Sequence, residues 1–139
     1  MKITTFNPMI LSKNADDIIK LFEELGFAKR HSLEANTGTA DFTSVRMKNA
    51  EGFYVDVANI PNTPQDMTLI RMNVDNFEEA YEFLSARGFT NPRGGQTVDT
   101  KTNKSCMMRS PSGFAFDLCE QSRTKRYTSV LIRKPGQQS

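Results

Sequence analysis

The sequence predicts an α+β fold built from two repeated halves, each running strand, helix and then two or three further strands. Three observations predict it. An amphipathic segment beginning at Asn14 recurs from Asn76 at a constant offset of 62 residues. A Gly-Phe-x-apolar-Asp-apolar segment beginning at Gly52 recurs from Gly113 at an offset of 61. A Pro-bearing stretch around Pro61 and Pro64 supplies the link between the halves.

Each element follows from its own pattern. Phe6 to Leu11 reads as the opening strand. Ile18, Leu21, Phe22 and Leu25 then keep the i, i+3, i+4, i+7 spacing of one helical face. Asn14 is placed to cap this helix, Asp16 and Asp17 complement its positive end, and Gly26 offers a left-handed stop. The stretch from Phe42 to Met47 is strand-like, and strict alternation after Gly52 puts Phe53, Val55 and Val57 on one face with Tyr54, Asp56 and Ala58 on the other.

The second half repeats these signals. Met67 to Val74 reads as a strand, and Phe77, Ala80, Tyr81 and Leu84 form the helical stripe, with Asn76 as cap and Gly88 as stop. Ser105 to Arg109 is strand-like, after which Phe114, Phe116 and Leu118 oppose Ala115, Asp117 and Cys119. A ferredoxin-like βαββαβ sheet also sets two helices on one face of a sheet. Residues 27–75 have room for more strands than that fold uses, and the Gly-Phe strand after the second helix extends beyond it.

Composition sets the class. With 139 residues, 37% hydrophobic and 9% aromatic, the chain can build a core, which excludes disorder for most of it. No stretch approaches the ~20 apolar residues of a membrane span, and the first residues lack an apolar signal region, so the expected setting is cytoplasmic with no membrane contact. Cys106 and Cys119 form no zinc spacing or disulfide framework and read as free buried thiols. The one histidine, His31, reads as a surface or edge-strand residue.

Bases cluster at the end. Residues 123–139 hold Arg123, Lys125, Arg126, Arg133 and Lys134 without an acid, leaving 13 bases against 16 acids in the rest. A nucleic-acid binder needs a basic stripe on its folded body, so no nucleic-acid partner is expected. Within this basic tail, Thr128 to Ile132 is an apolar run suited to packing on its own body or on a partner chain. The polar, Gly-rich stretch from Thr90 to Lys104 reads as a solvated hairpin or lid; its Gly94-Gly95 is no phosphate loop, because no helix opening with Lys-Ser/Thr follows.

The helix ends Leu25-Gly26-Phe27 and Arg87-Gly88-Phe89, the Val74-Asp75-Asn76 entry to the second helix, and the run from Ser110 to Leu118 resemble the glyoxalase, bleomycin-resistance and extradiol-dioxygenase superfamily, also called vicinal oxygen chelate proteins. The resemblance spans residues 3 to about 122. It implies one domain over 1–122, made of two tandem βαβββ modules at about 1–60 and 66–122. Their sheets would curl into a partly closed, antiparallel-rich barrel, with helices outside and a small-molecule cavity inside. It also implies a homodimer.

Enzymes of this superfamily place a metal ligand, usually His or Gln and then Glu, on the first and last strand of each module. The resemblance lays those positions on Asn7 and Asp56, and on Leu69 and Asp117. Leu69 has no donor atom, Asn7 is a neutral ligand, and Asp is a methylene shorter than Glu, so the expected cofactor is none. Magnesium or manganese held by Asn7, Asp56 and Asp117 is the alternative.

On the same resemblance Phe53, Val55, Val57, Ile70, Met72, Val74, Phe114, Phe116 and Leu118 lie under the helices, and Leu69, Arg71 and Asn73 share the cavity with Asp56 and Asp117. Arg71 then answers the two buried carboxylates, as an internal ion pair or as a ligand anchor. Met9, Leu11, Val45, Met47, Tyr54, Cys106 and Met108 complete a soft apolar lining for a flat or aromatic molecule. The expected function is therefore metal-free binding of a small organic ligand through Asn7, Met9, Tyr54, Asp56, Arg71 and Asp117, with no catalytic residue assigned. A divalent-metal lyase, isomerase or dioxygenase of the same superfamily is the alternative, and an interaction module with a vestigial cavity is the third reading.

Overall fold

The computed structural model describes residues 1–36, 41–100 and 102–121. In chain order its elements are β1 (Ile3–Ser12), α1 (Ala15–Glu24), β2 (Ala28–Asn36), β3 (Asp41–Lys48), β4 (Tyr54–Asn59), β5 (Met67–Val74), α2 (Phe77–Ser85), β6 (Val98–Asp99), β7 (Asn103–Arg109) and β8 (Ala115–Gln121). Each half is thus strand, helix and three strands, with the first of the second half's three reduced to two residues. The basic tail and its apolar run lie outside the described residues.

The strands form one mixed sheet in the order β2-β3-β4-β1-β5-β8-β7-β6, curled into a half-barrel. β1 and β5 pair antiparallel at its centre, with Pro8 opposite Ile70. Ile70 stands at the repeat offset of 62 from Pro8, so each half meets its counterpart at the same point and a local twofold passes through this pair. β4 runs parallel to β1, and β8 parallel to β5. Parallel neighbours need a crossover, which the segments carrying α1 and α2 provide. His31 stands on β2, at one edge of the sheet.

Both helices cover the same face. α1 buries Ala15 and Ile19, with Ile18 and Phe22 partly covered, against Val45, Met47, Val55 and Val57. α2 buries Phe77, Ala80 and Leu84, with Tyr81 alongside, against Met72, Val74, Cys106, Met108 and Leu118. The expected stripe of α2 is the observed one. That of α1 is displaced, because Leu21 and Leu25 remain 49% and 62% exposed. Two overlapping stripes have helical spacing here, and small Ala15 lets the first turn approach the sheet, so the buried stripe starts a turn earlier.

Other expectations also shift. Asn76 caps α2 by accepting from the Glu79 N–H at 3.1 Å, whereas Asn14 makes no side-chain cap and its own N–H donates to Ser12 Oγ. Val45 and Met47 lie opposite Val57 and Val55, and Cys106 and Met108 lie opposite Leu118 and Phe116. Cross-strand partners share a face, so these four pack under the helices instead of lining the cavity, although Cys106 also borders its edge. Phe53 and Phe114 stand before the first ladder residues of β4 and β8 and stay 66% and 47% exposed. No helix among the described residues is long and apolar enough to cross a membrane.

The displaced stripe makes a direct prediction. Ile19→Ala should lower the free energy of unfolding by about 2–5 kcal/mol in urea denaturation. Leu25→Ala should change it by no more than about 0.5 kcal/mol. Equal losses at the two positions would restore the stripe read from the sequence.

Candidate functional site

The face away from the helices collects the polar groups. Asn7 and Met9 on β1, Arg46 on β3, Tyr54 and Asp56 on β4, Leu69 and Arg71 on β5, and Met107 and Asp117 across β7 and β8 all point to it by register. Arg71 sits opposite Asn7 on one side and Asp117 on the other. Met9 lies opposite both Asp56 and Leu69. The six residues expected from the sequence therefore do share one face, in two distinct environments.

The first environment is a buried polar cluster around Asp56, whose side chain is 1% exposed. Asn7 Nδ2 donates to Asp56 Oδ2 at 2.7 Å and also to the Pro8 carbonyl at 2.8 Å. Arg46 approaches the same Oδ2 at 3.5 Å and donates to Asn7 Oδ1 at 3.1 Å. Its guanidinium carbon lies 4.3 Å from the centre of the Tyr54 ring, a cation–π contact. Arg71 closes the cluster from the other side, 3.7 Å from Asp56 Oδ1.

The second environment is a cavity of about 170 Å³. Met9, Leu11, Ala58, Ile60 and Leu69 give it an apolar floor, and Arg71, Ser105, Met107, Asp117 and Cys119 form a wall. Arg93, Gln96, Val98 and Thr100 come from the segment read as a lid, which contributes a wall of the hollow. Of the expected ligand residues, Met9, Arg71 and Asp117 border this space, whereas Asn7, Tyr54 and Asp56 belong to the neighbouring cluster. Asn73 shares the face but is turned to Thr5, to whose hydroxyl its amide donates.

Arg46 was not among the residues singled out from the sequence. Its signal is present in the alternation Ser44-Val45-Arg46-Met47. Once Val55 and Val57 lie under α1, an antiparallel neighbour keeps its apolar residues on that side and sends Ser44 and Arg46 to the other.

No family model matches the sequence, and no curated protein matches it. Solved structures do match. A superfamily member from Vibrio splendidus 12B01 is 16% identical with a TM-score of 0.55, over 86% of this chain and 99% of that one. Methylmalonyl-CoA epimerase from Mycobacterium tuberculosis is 10% identical with a TM-score of 0.67, over 90% and 93%. A glyoxalase I variant from Zea mays is 12% identical with a TM-score of 0.62, over 87% of this chain and 45% of that one. The chain has the glyoxalase/bleomycin-resistance/dioxygenase fold.

Within that fold the four expected ligand positions do not form a donor set for a divalent ion. Leu69 offers no donor, Asn7 has both ends of its amide engaged, and Asp56 is flanked by two guanidinium groups. Among the described residues no three His, Cys, Asp or Glu side chains converge as a cation site.

Desolvation pushes Asp117 above the ordinary carboxylate range, opposed by the Arg71 cation and reinforced by the Asp56 charge. Burial works against the Arg71 cation, but the negative charge around it, from Asp117 and Asp56 among others, raises its pKa, so it remains charged. Burial also pushes the Cys119 thiol well up and the Cys106 thiol to about 12, so both stay protonated and unreactive at neutral pH.

Substitutions at the aspartates should act with opposite sign. Asp56→Ala leaves Arg46 and Arg71 without their buried anion and should cost about 3–5 kcal/mol. For Asp117 the folded pKa lies above the unfolded value, so its contribution is full below that unfolded value and is lost as pH rises through the folded one. Asp117→Asn is therefore expected to raise the melting temperature at pH 7, with the gain fading toward pH 4. A lower melting temperature for Asp117→Asn at pH 7 would contradict this account.

Proposed function

We propose that this chain is a metal-free protein that binds a small organic molecule in the hollow of its half-barrel. The observation that carries this reading is the cluster around Asp56. Its carboxylate already has an amide donor at 2.7 Å and two cations at 3.5 and 3.7 Å. A divalent ion approaching the carboxylate, even at Oδ1, which accepts no hydrogen bond, would have to lie against two guanidinium groups. The adjacent apolar floor and the few polar groups bordering it suit an organic guest.

The alternative is a divalent-metal lyase, isomerase or dioxygenase, and it requires Asn7, Asp56 and Asp117 to reorganise around a cation. The glyoxalase I and methylmalonyl-CoA epimerase neighbours carry enzyme names, which keeps that alternative in the test. We further propose a cytoplasmic homodimer. Ile3 and Phe6, 53% and 58% exposed on the central strand β1, offer apolar surface that a second copy would cover.

Protein purified without chelators is expected to carry no stoichiometric divalent metal by elemental analysis. Millimolar magnesium or manganese is expected to leave its melting temperature unchanged, while a guest at a hundredfold excess over its Kd stabilises by about 2.7 kcal/mol. A stoichiometric ion that disappears in Asp117→Ala would overturn the metal-free reading in favour of the enzyme.

A further inference from the structure

We propose that the cavity takes a small organic acid, its carboxylate seated on the Arg71 guanidinium beside Asp117 and its body, no larger than one ring, lying on Met9, Leu69 and Met107. This names the ligand class within the metal-free reading and rests on it.

The charge balance around Asp56 points to an anion. Two guanidinium groups stand against the one Asp56 carboxylate, and among the described residues Arg71 makes no ion pair with the neighbouring Asp117. Arg46 is committed, with its amide partner Asn7 and its stacking on Tyr54. Arg71 is the one of the pair that borders the cavity. Its nearest atom is 3.7 Å from Asp56, too long for a hydrogen bond, and its Nε is buried with no hydrogen-bond partner. A charged guanidinium with unspent donors in an apolar wall is matched by a carboxylate, which accepts from it in a fork and neutralises its charge.

Size and proton content complete the match. A cavity of about 170 Å³ is close to the ~150 Å³ of an apolar protein cavity that holds one benzene ring. Asp117 stands beside the seat proposed for the carboxylate, and two adjacent carboxylates share a proton. Among the described residues the charged and titratable groups around Asp117 are Arg71 on β5, Asp56 on β4, Cys106 on β7, Cys119 on its own strand and Arg93 on the segment before β6. A guest carboxylate arriving there favours the protonated form of Asp117 further. Binding should therefore take up a proton and weaken as pH rises through the raised pKa of Asp117.

The test is calorimetric titration of the full chain with benzoate and hexanoate, each against its amide, in buffers of different ionisation enthalpy. In a series of buffers of rising pH at least one acid should bind about tenfold more tightly than its amide, with net proton uptake appearing where free Asp117 has begun to ionise. Arg71→Gln should erase that preference. Because this change also removes a cation from Asp56, Arg71→Lys serves as the second variant: it keeps the charge and should retain the preference, while Asp117→Asn should lose the proton uptake. Amides binding as tightly as acids, no acid binding, or a preference that survives Arg71→Gln would each overturn the proposal. Amide binding without acid preference sinks the carboxylate alone, whereas stoichiometric metal without any organic binding sinks the metal-free reading as well.

Discussion

The antiparallel contact between β1 and β5 is the constraint on which the rest of the molecule depends. It joins the two halves into one sheet and fixes which residues of one half meet which residues of the other. The sequence Asn7-Pro8 lies at its centre. Proline has no N–H to give a ladder, and pairing of β1 with β4 starts only at Met9. The Asn7 amide works at that point, donating to the Pro8 carbonyl and to Asp56. A residue that weakens a central strand is thus placed where the strand does not yet need its missing donor.

Duplication would have made the two acidic strands equivalent, and substitution has made them different. Around Asp56 stand Asn7 and Arg46, both hydrogen-bonded to it. The corresponding positions beside Asp117 are Leu69, at the repeat offset from Asn7, and Met107, in the register position of Arg46. One carboxylate therefore sits among donors and the other among apolar side chains, which is why desolvation governs Asp117. Arg71 replaces what is Met9 in the first half and so brings a single cation within reach of both.

Much of this was legible in the chain because repetition supplies each signal twice. The helices, the Gly-Phe strands and the sharing of one face by Asn7, Met9, Tyr54, Asp56, Arg71 and Asp117 follow from periodicity and from the family pattern. What failed were the places where one pattern has two solutions. Ile18, Leu21, Phe22 and Leu25 compete with Ala15, Ile18, Ile19 and Phe22 for the same helix, and only the approach of the sheet decides between them. In β3 and β7 the soft residues Val45, Met47, Cys106 and Met108 were assigned to the cavity by character, but register with Val57, Val55, Leu118 and Phe116 sends them under the helices. That one-residue slip hid Arg46, since reversing a strand's faces exchanges every side chain on it.

The local twofold predicts a hollow placed symmetrically between the halves, yet the observed cavity leans on the second half. Its wall is drawn from Arg93 to Thr100 and from Ser105, Met107, Asp117 and Cys119, while the first half supplies mainly the floor through Met9, Leu11 and Ala58. The asymmetry follows from the two carboxylates. Asp56, Asn7, Arg46 and Arg71 occupy the space that a second, equivalent hollow would need, and their mutual contacts fill it. On the other side Leu69 and Met107 contribute no charge of their own, leaving space bounded by one acid, Asp117, and by Arg71 and Arg93. Low polarity there strengthens any interaction with Arg71, so the half of the repeat that lost its polar partners is the half equipped to hold a guest.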